Sequence, residues 1–451
     1  MDWNREAHLF ADVVSAARRI IYLARFPPEE ESEWVEFLEK GTFCVFIAVL
    51  VSQLHNVKTL RLDYSFIWFG GYPGRMVMHS LFSGRPDPAS TLSRFESLWL
   101  VDYGGNMPPT EGDTLPIHEP GEITDESGGR TDEAEGPTDE QEGELPADRA
   151  EGGNMPTDEQ GEDWPIDEAL VLDEPAVNGF PISYNLDQFV GWFCLSSVRH
   201  FSIWLPGNAN LESLKDKKLN LPQLQTLILA RSTASAQAIA SLLIQTQSLK
   251  SLHLGLAYDW YTQTVLEGGG FITRALQSIS ETIEDFSMGL EYYPRFNGSP
   301  HEDESKEHLL VPFHGILRKF PRLQTAEIPM LVLLGLNSDF NGPGEMRDLL
   351  PRTLRRLVLR GDLASVQEHE HWGERISNAV RIHLEGDWRA STPLLQHVCG
   401  RIWFWYWYHE PDDWWLVGEL LKDVCGKAGI RQEFIPDNLG SGLWSRELGM
   451  R

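Results

Sequence analysis

The chain has 451 residues, 41% hydrophobic and 11% aromatic, with 67 acidic and 38 basic side chains for a formal charge of −29. Between Gly104 and Pro175 stand 23 Asp/Glu and 2 Arg, a net of −21 in 72 residues, while the other 379 residues carry only −8. No basic patch dominates, which excludes binding a nucleic-acid backbone by bulk charge, and the longest stretch free of charge and His, Gly41 to Leu54, is too short to span a bilayer.

Residues 1–56 read as two amphipathic helices, split near Phe26-Pro27-Pro28. The opening Met1-Asp2-Trp3-Asn4-Arg5-Glu6 mixes charge with apolar residues and is not a secretory signal. A pattern of apolar positions then begins with Val57-Lys58-Thr59-Leu60-Arg61-Leu62 and returns as Phe95-Glu96-Ser97-Leu98-Trp99-Leu100. These two copies and the helices before them form an N-terminal unit, residues 1–103.

Residues 104–175 differ in kind. Gly-Gly-Asn-Met-Pro occurs at 104–108 and 152–156, and Thr-Asp-Glu occurs four times. Such a stretch buries too little apolar surface to offset its ordering entropy, so it reads as a disordered, acidic, low-complexity insertion.

The pattern resumes in residues 176–435. Its copies are Val198–Ile203, Leu224–Leu229, Leu249–Leu254, Ile283–Met288, Leu323–Ile328 and Leu354–Leu359, with a looser ninth at Ala379–Leu384. Ile203 to Leu229 spans 26 residues and Leu229 to Leu254 spans 25, inside the leucine-rich-repeat range, while other intervals reach 40. Each copy reads as a short strand with leucines pointing inward and the intervening residues facing out. Helical patterns at Ala234–Gln245, Ile272–Ile279 and Lys306–Lys319 lie between them, with Pro312 a break in the last. Asp412–Gly426 reads as a closing helix, Gly429–Ile435 as a terminal strand, and 436–451 as a flexible tail. The expected fold is therefore α/β: an irregular leucine-rich-repeat-like solenoid of curved parallel strands with outer helices, interrupted by the acidic insertion. A doubly wound α/β domain also alternates helix and strand, but leaves the recurring leucines unexplained.

The segments Leu54–Leu62, Leu350–Leu359 and Leu420–Ile430 resemble the fungal F-box-type leucine-rich-repeat proteins, whose repeats are similar to those of ribonuclease inhibitor. The resemblance implies a repeat surface that holds a substrate and an N-terminal F-box that grips a Skp1-type adaptor. The usual Leu-Pro opening of an F-box is absent from residues 1–50, so it is either lost or upstream of this chain.

Catalytic signals are weak. Gly70-Gly71-Tyr72-Pro73-Gly74-Arg75 lacks the Lys-Ser/Thr of a phosphate loop and the GxGxxG spacing. His369 with His371, and His397 with Cys399, share a strand face at i, i+2, but neither pair has an identifiable third metal ligand. Cys44, Cys194, Cys399 and Cys425 form no CxxC pair and read as reduced thiols of an intracellular protein, cytoplasmic or nuclear. The run Ile402–Tyr408 with Trp414 and Trp415 reads as a buried strand near the terminal cap.

The expectation is a non-enzymatic scaffold without catalytic residues, cofactor or metal, which binds a protein partner on the concave strand face rather than nucleic acid or membrane. Candidate contacts at outward positions are Arg61, Asp63, Trp99, Trp204, His253, Glu327, Arg356 and Arg360, because exposed Trp and Arg dominate interface energetics. Two alternatives remain: the acidic insertion binds basic proteins such as histones, or the chain is an enzyme on a single α/β domain.

Overall fold

A computed structural model of the chain describes residues 3–54, 56–62, 66, 72–82, 95, 97–103, 191–203, 219, 221–232, 234–259, 270–293, 315–334, 346–362, 372–403 and 412–437. The chain divides into two units, one formed by Met1–Pro108 with Ala176–Arg451 and the other by Pro109–Pro175. The expected disorder of the acidic insertion lies outside the described residues.

The first unit is α/β. It begins with three helices, α1 (Trp3–Ala24), α2 (Pro28–Glu39) and α3 (Phe43–Gln53). One helix more than expected forms because α2 stops at Gly41. That residue adopts a φ of +77°, and the N–H of Thr42 donates to the Phe37 carbonyl while that of Gly41 donates to Leu38. This left-handed cap closes a helix in a manner glycine permits without steric cost.

Ten strands follow: β1 (Thr59–Leu62), β2 (Leu100–Tyr103), β3 (His200–Ile203), β4 (Thr226–Ser232), β5 (Ser251–Asp259), β6 (Asp285–Tyr293), β7 (Thr325–Pro329), β8 (Arg356–Arg360), β9 (His397–Trp403) and β10 (Arg431–Asp437). They form one parallel sheet in sequence order. Doubly wound sheets reverse strand order about a switch point; this sheet has no reversal, and its succession of short strands is solenoid-like. Between strands lie α4 (Tyr72–Phe82), α5 (Ala236–Leu243), α6 (Phe271–Ser278), the short helices α7 (Met330–Leu334) and α8 (Met346–Leu349), then α9 (Trp372–Glu385), α10 (Trp388–Ser391) and α11 (Asp412–Ala428). Among the described residues, no helix is long and apolar enough to cross a membrane.

Register explains the repeated leucines. Leu60, Val101, Phe201, Leu227, Leu252, Phe286, Ala326, Leu357 and Val398 align across the sheet and are all buried. A second buried column runs through Leu62, Tyr103, Ile203, Leu229, Leu254, Met288, Ile328 and Leu359. Both columns share one apolar core with Ile239, Leu242 and Leu243 of α5 and with Ile272, Ala275 and Leu276 of α6. No single four-residue strand could bury such a face alone; stacking does it. At the strand starts a further regularity appears. The Lys250 and Ser251 N–H groups both donate to the Gln225 carbonyl, and Glu284 and Asp285 both donate to Lys250. The same forked pairing repeats at Gln324/Thr325, Arg355/Arg356 and Gln396/His397.

Two copies of the pattern sit elsewhere than expected. The second is shifted by three residues: Thr59 pairs with Leu100 and Leu62 with Tyr103, so Leu98, Val101 and Tyr103 are the inward residues. A tyrosine fills the last inward place because Trp192 Nε1 donates to its hydroxyl at 2.8 Å, which satisfies the buried oxygen. The ninth copy, Ala379–Leu384, is part of helix α9; the ninth strand is His397–Trp403. Gly400 occupies the position where a leucine is expected. A Cβ there would lie 3.2 Å from the Phe434 ring of β10, so Phe434 fills the volume from the neighbouring strand.

Of the helix expected at 306–319, only a 3-10 turn at Leu317–Lys319 lies in the described residues; Pro312 lies outside them. The closing helix extends to Ala428, and β10 continues through Pro436 and Asp437, which pair with Ile402 and Trp403. The rest of the tail and residues 404–408 of the aromatic run lie outside the described residues.

Candidate functional site

The outward positions of the strands carry two surfaces of different character. One is a buried polar cluster. The other is an exposed row at the strand starts.

The cluster spans β5 to β9. Glu327 of β7 accepts hydrogen bonds from Nη1 of Arg360 on β8 and, at 2.9 Å, from Nη1 of Arg401 on β9. Arg360 Nε donates to both oxygens of Asp362, at 3.0 and 3.2 Å, and Asp362 Oδ2 accepts from the Leu290 N–H of β6 at 2.9 Å. All four charged residues are buried. Burial alone would raise the Glu327 carboxyl, but Arg360 and Arg401 outweigh it and hold it below its ordinary range. Burial likewise disfavours the Arg360 cation, and Asp362 and Glu327 more than compensate. Two cations and two carboxylates thus neutralise each other beneath the surface.

His253 of β5 lies beside this cluster. Its Nδ1 is 2.8 Å from Ser287 Oγ of β6, and its buried Nε2 has no hydrogen-bond partner among the described residues. Ile228, Ser251, His253, Asp285 and Ser287 line a shallow, open depression. Burial is the main cause that pushes the imidazole down to about 3, with Arg360 and Arg401 adding to it and Glu327 opposing. A serine–histidine pair invites comparison with a nucleophile and its base. Here burial leaves the base too weak to take a proton near neutrality, and among the described residues no carboxylate is bonded to its second nitrogen. The pair links adjacent strands β5 and β6.

The buried imidazole has a consequence for pH. Its folded pKa lies far below the ordinary value of about 6.5, so between the two values the unfolded chain binds a proton that the folded chain does not. Stability from this group is full above about pH 6.5 and declines as pH falls towards 3. His383 of α9, pushed down to about 4 by burial, acts in the same direction, while Asp362, raised to about 6 by burial, opposes them and offsets part of the change. We expect urea-unfolding midpoints that fall from pH 7 to pH 5, and a smaller fall for His253→Gln. An unchanged pH slope in that variant would contradict the assignment.

The exposed row follows the forked backbone ladder. Lys58, Trp99, Arg199, Lys250, Gln324, Arg355 and Gln396 each stand one residue before or at the start of successive strands and are exposed. Gln225 and Glu284 complete the row half-buried, with Lys250 Nζ 3.5 Å from Glu284. Adjacent positions are about 4.8 Å apart because they ride on neighbouring strands. Trp99 packs its ring edge-on against His200, centroids 5.2 Å apart, and is 39% exposed.

The eight residues chosen from sequence therefore separate. Glu327 and Arg360 meet in the cluster and His253 lies beside it; all three are buried, so none offers an open contact surface. Arg356 is half-buried, Arg61 and Trp99 are exposed, and Asp63 and Trp204 lie outside the described residues. Arg401 and Asp362, and the row residues Arg199, Lys250 and Arg355, are not among those eight. A signal for the row was available: each of those three follows the first apolar residue of its copy.

Among the described residues no three His, Cys, Asp or Glu side chains are placed to hold a metal ion. His397 and Cys399 do share a face of β9, but His397 Nε2 turns to Glu433 at 3.2 Å and burial pushes the Cys399 thiol up to about 12. No disulfide joins any two of the four cysteines. Residues 369 and 371 lie outside the described residues. No family model, no curated protein and no solved structure matches this chain.

Proposed function

We propose that this chain is a non-catalytic protein-interaction scaffold that receives an acidic segment of a partner along the row of strand starts. The observation that carries this reading is the row itself. Lys58, Arg199, Lys250 and Arg355 present four cations against one half-buried carboxylate, Glu284, with Trp99 among them. Exposed Arg and Trp held on a rigid ladder supply the anchors that dominate interface energetics. The buried cluster contributes rigidity, since Glu327, Asp362, Arg360 and Arg401 are already matched to one another.

The repeated strand pattern and the sequential sheet support the finer version, a leucine-rich-repeat receptor related to F-box-type proteins. Capture experiments from cell extract with the full chain test both levels. We expect Trp99→Ala combined with Arg199→Ala and Lys250→Ala to weaken recovery of the captured partner at least about 10-fold without altering the unfolding midpoint. Equal recovery by the variant would overturn the row as the contact surface. Co-purification of a Skp1-type adaptor supports the F-box-related version, and capture without one counts against it.

A further inference from the structure

The backbone of the row is already engaged. The Lys58 carbonyl accepts from the Trp99 and Leu100 N–H groups, and the Trp99 carbonyl from those of Arg199 and His200. The Arg199 carbonyl accepts from Gln225 and Thr226, the Gln225 carbonyl from Lys250 and Ser251, and the Lys250 carbonyl from Glu284 and Asp285. From Trp99 to Lys250, both the N–H and the carbonyl of every row residue therefore have partners. A partner chain cannot add a strand here, so recognition falls to the side chains.

Those side chains alternate. Lys58, Arg199 and Lys250 stand at the starts of β1, β3 and β5, with uncharged Trp99 and Gln225 at the starts of β2 and β4 between them. Neighbouring strands lie about 4.8 Å apart, so successive cations are about 9.6 Å apart. A β-strand presents side chains to one face about every 6.8 Å, far out of step with that interval. An α-helix returns to one face after seven residues, about 10.5 Å, and drifts about 1.8 Å over the three cations. A polyproline II helix returns every third residue, about 9.3 Å, and drifts only about 0.6 Å. Resting on the scaffold reading above, we infer that the row takes a partner segment in the polyproline II conformation with an acidic side chain at every third residue. Trp99, 39% exposed between Lys58 and Arg199, offers its indole to a proline that follows the first acid, the way aromatic grooves hold such helices. Glu284 closes the site. It stands next in the row, 3.5 Å from Lys250 Nζ, and repels a fourth carboxylate that would pass it to reach Gln324.

The test is titration of the full chain at low salt with labelled, end-capped peptides, read by fluorescence anisotropy. One peptide of seven residues carries Asp at places 1, 4 and 7 and Pro at place 2; its isomer carries Asp at places 1, 3 and 5. The first should bind about 5-fold more tightly, and Arg199→Ala should bring the two within about 2-fold of each other. Glu284→Gln should raise the affinity of a ten-residue peptide with a fourth Asp at place 10 by more than it raises that of the seven-residue peptide. Circular dichroism and the unfolding midpoint check that the variants fold. Equal affinity of the two isomers for the wild type overturns the inference and leaves the scaffold reading standing. No binding of either isomer at millimolar concentration overturns both. A single-stranded oligonucleotide of seven nucleotides that binds more tightly than either peptide assigns the row to phosphates and overturns both as well.

Discussion

Glu327→Ala is expected to lower the free energy of unfolding by about 3–5 kcal/mol, read as a fall in the urea midpoint with an unchanged slope. Glu327 lies between Arg360 and Arg401 and accepts a hydrogen bond from each. Removing the carboxylate leaves two guanidinium groups close together in a buried site with only the Asp362 carboxylate of the cluster still in place. The loss is then the repulsion and desolvation of cations, not merely one missing bond. Arg360→Met with Glu327→Leu should cost less than Glu327→Ala alone, because two opposite charges leave together. A single variant that costs under about 1 kcal/mol would mean that the cluster is solvated in the folded chain.

Trp34→Ala should cost a comparable amount, about 3–5 kcal/mol, for a different reason. The Trp34 ring is wholly buried in α2, stacked on Phe26 at 4.6 Å and met edge-on by Tyr72 at 4.7 Å. Arg75 of α4 lies 5.8 Å from the same ring and 5.2 Å from that of Tyr72, and its guanidinium is held by Glu30 and Glu33. Deleting the indole leaves a cavity roofed by a buried cation, and collapse into that cavity would break the ion pairs. Thermal unfolding followed by tryptophan fluorescence and by circular dichroism measures the loss. If the N-terminal helices loosen before the sheet, the two signals part; coincident curves would show that the unit unfolds as one.

Much of the sheet was legible because burial there follows a short period. Wherever a copy kept apolar residues at its inward places, as at Leu224–Leu229 or Leu354–Leu359, strand and face came out together. The failures share a cause: an inward place filled by something other than an aliphatic side chain. Tyr103 relies on Trp192 and Gly400 on Phe434, partners too far along the chain for local periodicity to register. The candidate site was less legible. Alternation tells which face a residue occupies, not how deeply it is covered. Glu327, Arg360, Asp362 and Arg401 look like four isolated charges in sequence and become one charge-balanced group only when β7, β8 and β9 lie side by side.

Sequential strand order also separates the length of a connection from the contact it makes. The chain leaves β2 at Tyr103 and returns at His200, yet Leu100 pairs with His200 as directly as Thr226 pairs with Ser251. Closing a loop about fourfold longer costs only about 1.2 kcal/mol more in entropy, a small toll beside the burial gained by stacking. Each strand-to-strand connection is in this sense an open socket. The junctions after Tyr103 and before His200 are the natural place to splice in a foreign domain without disturbing the register of the sheet.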